Sequence, residues 1–192
     1  MWLSLLATLV VIFIFVTILV WFNADHPKDG AEVKVYFRSD APILQRRQKL
    51  KVMTYNVQFL AGKSYVFFFD APDYSGPDGY VDMEDILATA DGLSKMIVDE
   101  APDIILFQEL DDGSRRTNYQ DQLALLLERL PDEYCCYASA FYWKFKFAPH
   151  PKLLGPMGMK TAILSKYKIT KAERHNLPVL PINFFLRQFS GQ

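Results

Sequence analysis

Charge is absent from the first 22 residues, and cysteine and histidine are scarce throughout. The chain has only two cysteines, adjacent at Cys135 and Cys136, which rules out a disulfide framework. Net charge is also missing: 22 acidic against 21 basic residues give −1, which argues against a strongly basic nucleic-acid-binding protein. There is no internal repeat and no low-complexity run. All the charges fall in the 170 residues after Phe22. That remainder is ordinary for one soluble globular domain with a sizeable core.

Met1 to Phe22 contains 19 apolar residues. As a helix it would be about 33 Å long, enough to cross a hydrocarbon core of roughly 30 Å. Trp2, Trp21 and Phe22 stand at its ends, where an aromatic belt would lie. A cleaved signal peptide fits less well, because no Lys or Arg precedes Lys28 and Phe22 sits poorly before a cut after Ala24. A buried soluble helix fits least. The expectation is a single-pass membrane anchor over residues 1–22. The basic residues Arg46, Arg47, Lys49 and Lys51 favour a cytoplasmic domain by charge count, but they lie too far from the membrane to settle the side.

Residues 23–48 read as a juxtamembrane connector punctuated by Pro27, Gly30 and Pro42, with a short strand over Val33–Phe37. From Leu50 apolar residues alternate, predicting a strand that ends at Asn56. An aromatic, turn-rich loop runs from Tyr65 to Gly79. Ile86, Leu87, Ala90, Leu93 and Ile97 predict a helix capped by Asp82. Ile104–Phe107 is a fully apolar run that suits a buried central strand and leads into Gln108-Glu109. Tyr119, Leu123, Leu126, Leu127 and Leu130 predict a second helix, stopped by Pro131. Further strands are expected over 134–143 and 160–169, around a Pro/Gly-rich loop at 148–158. Strand, helix, strand, helix, strand is an α/β pattern.

Two residues at strand ends invite chemistry. Glu109 either opens a loop as a solvated charge or is held at the rim of the sheet, where a hard divalent cation would want an anionic oxygen. Asn56 is either a turn residue or a neutral amide able to bind a phosphate oxygen or metal-bound water. The alternating aromatics Phe141, Trp143, Phe145 and Phe147 fit a half-buried strand better than a base-stacking surface. Cys135-Cys136 reads as a buried strand pair.

Leu50-Lys-Val-Met-Thr-Tyr-Asn-Val-Gln58 resembles the opening strand of the endonuclease/exonuclease/phosphatase superfamily, whose fold is deoxyribonuclease I-like. Pro102-Asp-Ile-Ile-Leu-Phe-Gln-Glu109 resembles its second signature, and Gly158 to Ile169 its third, with Lys166 and Lys168 in a turn that usually reads Ser-Arg-Tyr-Pro-Ile. The Gly76-Pro-Asp78 loop, Asp121-Gln122, Phe141–Lys144 and Pro149–Lys152 are similar to a bacterial branch of that superfamily. The resemblance implies an α+β, four-layer α/β-sandwich over residues 49–192, incomplete at its carboxyl-terminal side. It implies Mg²⁺- or Mn²⁺-assisted hydrolysis of a phosphoester. Glu109 would bind the metal, and Asn56 would orient phosphate or serve as a second metal contact.

The superfamily's later Thr-His, Gly-Asp-Phe-Asn and Ser-Asp-His motifs do not occur in this chain. The three histidines, His26, His150 and His175, are read as structural or exposed rather than catalytic. The expectation is therefore the amino-terminal half of a membrane-anchored metal-dependent phosphoesterase, inactive by itself. Its substrate would be a phospholipid, inositol phosphate, nucleic acid or small phosphoester. The competing expectation is a non-catalytic, membrane-tethered interaction module.

Overall fold

Alternation from Leu50 and the apolar run at Ile104 produce two neighbouring strands, and the rest of the sheet grows from them. The computed structural model describes residues 2–25, 28–67, 76–148 and 150–177; within its first helix, side chains at 2–5, 7, 9 and 19–21 are outside the description. His26, residues 68–75 of the aromatic loop, Pro149 and the segment from 178 onward are likewise outside it.

β3 (Val52–Asn56) lies parallel to β4 (Ile104–Asp111), with Val52 opposite Ile104 and Asn56 opposite Gln108. The crossover between them is α2 (Met83–Glu100). Ile86, Ala90, Leu93 and Ile97 recur on one side of α2 and are all buried, whereas Leu87 sits at the rim, 37% exposed. Asp82 occupies the N-cap position without making a side-chain capping bond, and Glu84 and Asp85 place negative charge in the first turn. Ala101, with φ 45°, ends the helix in the left-handed region.

The second predicted helix is shorter than its apolar spacing suggested. α3 spans Gln122–Leu127, and Asp121 caps it by accepting bonds from the N–H groups of Leu123 and Ala124. Tyr119, expected on its buried stripe, precedes the helix with φ 60° and is 58% exposed. The competing cap at Asp121 explains the difference: satisfying two orphan N–H groups there fixes the start.

β5 (Cys136–Ala148) and β6 (Gly155–Ser165) form a long antiparallel hairpin, and β6 pairs antiparallel with β4. The connector contributes two strands instead of one. β1 (Ala31–Val33) pairs with β7 (Ala172–Arg174) in a separate ribbon, while β2 (Val35–Phe37) joins the edge of β5. The principal sheet has the order β2-β5-β6-β4-β3.

α2 and α3 cover one face of this sheet, packing Ile86, Ile97, Leu123 and Leu126 against Ile105, Phe107, Ala162 and Leu164. The opposite face is open: Val52 is 53% and Ile163 43% exposed. The fold is thus mixed α and β, and the described residues supply one principal sheet and one helical layer of the four layers expected. Apolar residues on an uncovered sheet face favour association. We therefore expect residues 23–192, expressed alone, to bind a hydrophobic dye and self-associate. A monomer with no dye binding and a sharp cooperative melt would show that the open face needs no cover.

α1 (Trp2–Asn23) is a single helix over the uncharged segment. Among the described residues no helix qualifies as a membrane span, and ten of the first 21 side chains lie outside that description. A membrane anchor is therefore not established by the structure. Cys135 and Cys136 are free and buried as expected, but only Cys136 lies in a strand, Cys135 standing just before β5.

Candidate functional site

Strict alternation along β4 would put Glu109 on the same side as Phe107, under the helices. A bulge prevents this. Phe107 pairs with Ala162 but Leu110 pairs with Lys160, so β4 carries one residue more than β6 across the same stretch. Glu109 takes φ 58°, the left-handed region that side chains other than glycine rarely adopt. Leu110 returns to full burial beneath the helices. The bulge turns the Glu109 carboxylate out to the open face of the sheet, beside Asn56.

There the two side chains meet: the Asn56 Nδ2 donates to Glu109 Oε1 at 2.8 Å. The Asn56 Oδ1 accepts the N–H of Gln58 at 2.9 Å, which fixes the amide's orientation. Glu109 Oε2 has no protein hydrogen bond among those described. Asn56 Oδ1 keeps a second lone pair. Both residues line a cleft of about 460 Å³ with Gln108, Tyr142, Thr161 and His175. Burial, together with the nearby Glu109 carboxylate, pushes the Tyr142 phenol well above its ordinary range, so it stays protonated and donates to Met159 Sδ at 3.1 Å. Asn56 also borders a second groove of about 780 Å³, between the loop at 57–64 and α2, which carries Lys63, Ser64 and Thr89.

The strand ends are welded together from below. Gln122 is fully buried. Its Oε1 accepts the N–H of Asp111 at 2.9 Å, and its Nε2 donates to the carbonyl of Phe59 at 2.6 Å. One amide thus ties β4 just past Glu109 to the turn just past Asn56. Asp111 and Arg116 form a bidentate pair at 2.8 Å with both side chains fully buried, and the guanidinium lies 3.6 Å from the Phe59 ring centroid. Gln122→Ala would leave two buried backbone groups without partners. We expect it to destabilise the domain by about 3 kcal/mol, read from urea unfolding, with Gln122→Glu also destabilising because one oxygen must face the Phe59 carbonyl.

The sequence singled out Asn56 and Glu109, and the structure brings them together. It did not foresee Arg174, His175 and Asn176, which reach the cleft because β7 pairs with the distant β1. The Asp29 carboxylate accepts the Asn176 N–H at 2.7 Å, which holds Asp29 below its ordinary pKa. His175 Nδ1 lies 3.9 Å from Asp29 and its Nε2 lies 3.5 Å from Glu173. No pattern in the sequence marks that long-range pairing. His150 is not among the residues lining the cleft and sits in the loop between β5 and β6.

The mixed sheet thus carries a carboxylate–amide pair where the end of β3 lies beside the bulge in the parallel strand β4. The chain belongs to the Endonuclease/Exonuclease/phosphatase family, whose sequence model matches residues 53–186, a stretch holding both Asn56 and Glu109. Among solved structures, the endonuclease/exonuclease/phosphatase from Beutenbergia cavernae DSM 12333 is 26% identical, with a TM-score of 0.36; the match covers 61% of this chain and 26% of that one. The chain thus spans about a quarter of that protein's length. No curated protein matches it.

Proposed function

We propose that this chain supplies the metal-binding part of a membrane-anchored phosphoester hydrolase. The observation that carries the reading is the Glu109 carboxylate, rotated by a bulge onto the open face and held by Asn56 at 2.8 Å. Its donor chemistry suits Mg²⁺ or Mn²⁺, hard cations that take carboxylate and amide oxygens. Glu109 Oε2 would hold the ion, and Asn56 would orient Glu109 and a phosphate or water beside it. A bound divalent ion would neutralise phosphate charge and ease departure of the leaving oxygen. Tyr142 lines the same cleft and, with its O–H donated to Met159 Sδ, would offer its phenol oxygen as an acceptor.

Among the described residues no three His, Cys, Asp or Glu side chains converge on a metal position. One carboxylate cannot both complete a ligand set and supply acid–base chemistry. A non-catalytic tethered module is therefore the second reading. The anchor is α1, whose 22 residues span about 33 Å at 1.5 Å per residue. Such tethering would keep the cleft near lipid headgroups and raises the case for a phospholipid substrate.

An assay with a generic phosphodiester and a phospholipid tests this. Residues 1–192 alone should give no hydrolysis above background, and a polypeptide carrying the rest of the family's domain should give chelator-sensitive hydrolysis. Chelator-sensitive activity from residues 1–192 alone would overturn the partial-site argument. A completed domain without any activity would favour the tethered module.

A further inference from the structure

The end of α1 does not hang loose from the domain. Asn23 uses its whole amide on Phe147: Nδ2 donates to the Phe147 carbonyl at 2.6 Å, and Oδ1 accepts the Phe147 N–H at 2.8 Å. The next residues continue the contact. Ala24 forms an antiparallel bridge with Phe145, and the N–H of Asp25 donates to the Lys144 carbonyl at 3.0 Å. The chain leaving α1 therefore runs as an extra edge along the far end of β5, next to the β5–β6 turn.

The side chains at that end are unlike an ordinary solvated hairpin tip. Phe145 is buried, but Phe147, two residues on where the β5–β6 register shifts, is 49% exposed; Leu154 across the turn is 44% and Phe22 of α1 67% exposed. Lys144 and Lys146, the neighbours of Phe145, are exposed as well. Aromatic and aliphatic groups beside lysines suit the boundary between acyl chains and headgroups, where rings bury and lysine stems reach outward.

We propose that the tip of the β5–β6 hairpin is a second membrane contact, seated in the headgroup boundary of the bilayer that α1 crosses. The inference rests on the reading of α1 as an anchor. It follows from geometry: a helix that crosses the bilayer delivers Asn23 to the interface, and two hydrogen bonds fix the Phe147 backbone at the depth of Asn23. The domain is then docked on the membrane, not tethered by a flexible linker. Tyr142, five residues back along β5, lies no more than about 17 Å from the interface at 3.4 Å per residue, so docking keeps the cleft wall within that distance of the headgroups.

The test places single cysteines in the full chain at Ile12→Cys, Val98→Cys, Phe147→Cys and Leu154→Cys, the last keeping Phe147 intact. Cys135 and Cys136 are buried and stay in place. Each variant is labelled with a fluorophore and reconstituted into phosphatidylcholine–phosphatidylglycerol vesicles carrying spin labels at the headgroup or deep in the acyl chain. Position 12 should be quenched by the deep label. Positions 147 and 154 should be quenched by the headgroup label several-fold more than position 98 on α2. Adding Asn23→Ala should bring the 147 signal down towards that of position 98 and leave position 12 unchanged. Deep quenching at 12 with positions 147 and 154 no different from 98 would overturn the docking and leave the anchor standing. No deep quenching at 12 would overturn the anchor itself, and the docking with it.

Discussion

In a polypeptide carrying the rest of the family's domain, Glu109→Gln should lower Mg²⁺-dependent phosphodiester hydrolysis by about 10²-fold or more. Glutamine preserves the shape and can still accept the Asn56 bond through its Oε1, so the loss isolates the negative charge. A neutral amide oxygen attracts a hard divalent cation much less than a carboxylate does. The variant should fold as well as the parent, because Glu109 sits at the rim and makes no buried ion pair among the described residues. Asn56→Ala should impair turnover as well, since it frees the carboxylate and removes the oxygen that caps the Gln58 N–H. A completed enzyme indifferent to Glu109→Gln would remove Glu109 from the metal site.

The largest expected loss of stability lies just behind that site. Asp111→Ala should destabilise the domain by about 3–5 kcal/mol, because it leaves the Arg116 guanidinium buried without a counter-charge. Arg116 Nε and Nη2 each lose a 2.8 Å bond and the Thr117 hydroxyl loses one of 3.0 Å. Against a typical total of roughly 5–15 kcal/mol, that is a large share of the stability, and at the low end of the range it unfolds much of the population. The double variant Asp111→Leu with Arg116→Met should be less damaging than Asp111→Ala, because it removes both charges. Urea unfolding of residues 1–192 reconstituted in lipid nanodiscs measures both. A loss under about 1 kcal/mol for Asp111→Ala would mean that the pair contributes little, as exposed pairs do.

The part of the fold that the sequence made legible is local. Alternation marked β3, a fully apolar run marked β4, and the 4-3-4 spacing of Ile86, Ala90, Leu93 and Ile97 marked α2. Asn56 could be named because it ends β3, and Glu109 because it follows an apolar run, although β4 continues past it to Asp111. The reason they meet could not be read, because the bulge depends on how β4 registers against β6, some fifty residues later. Asp111, Arg116 and Gln122 were invisible as a group: polar residues between two elements look like solvated loop until tertiary packing buries them. His175 was read as structural or exposed. Its side chain is indeed 64% exposed, yet it lines the cleft, because β7 is carried there by β1. The aromatic strand was half legible: Phe145 is core, and Phe147 is surface. The connector was read as a spacer with one short strand, whereas its two strands pair with different sheets.

The most direct measurement of the Asn56–Glu109 site is Mn²⁺-induced paramagnetic broadening of backbone amide resonances in residues 1–192, reconstituted in lipid nanodiscs. It detects weak binding and needs no turnover. Broadening should be strongest at Asn56, Glu109 and Leu110, extend to Tyr142, and disappear in Glu109→Gln. Broadening centred instead on Asp112 and Asp121, the two carboxylates that pair with Lys160, or broadening at Asn56 that survives Glu109→Gln, would contradict a metal site built on this carboxylate.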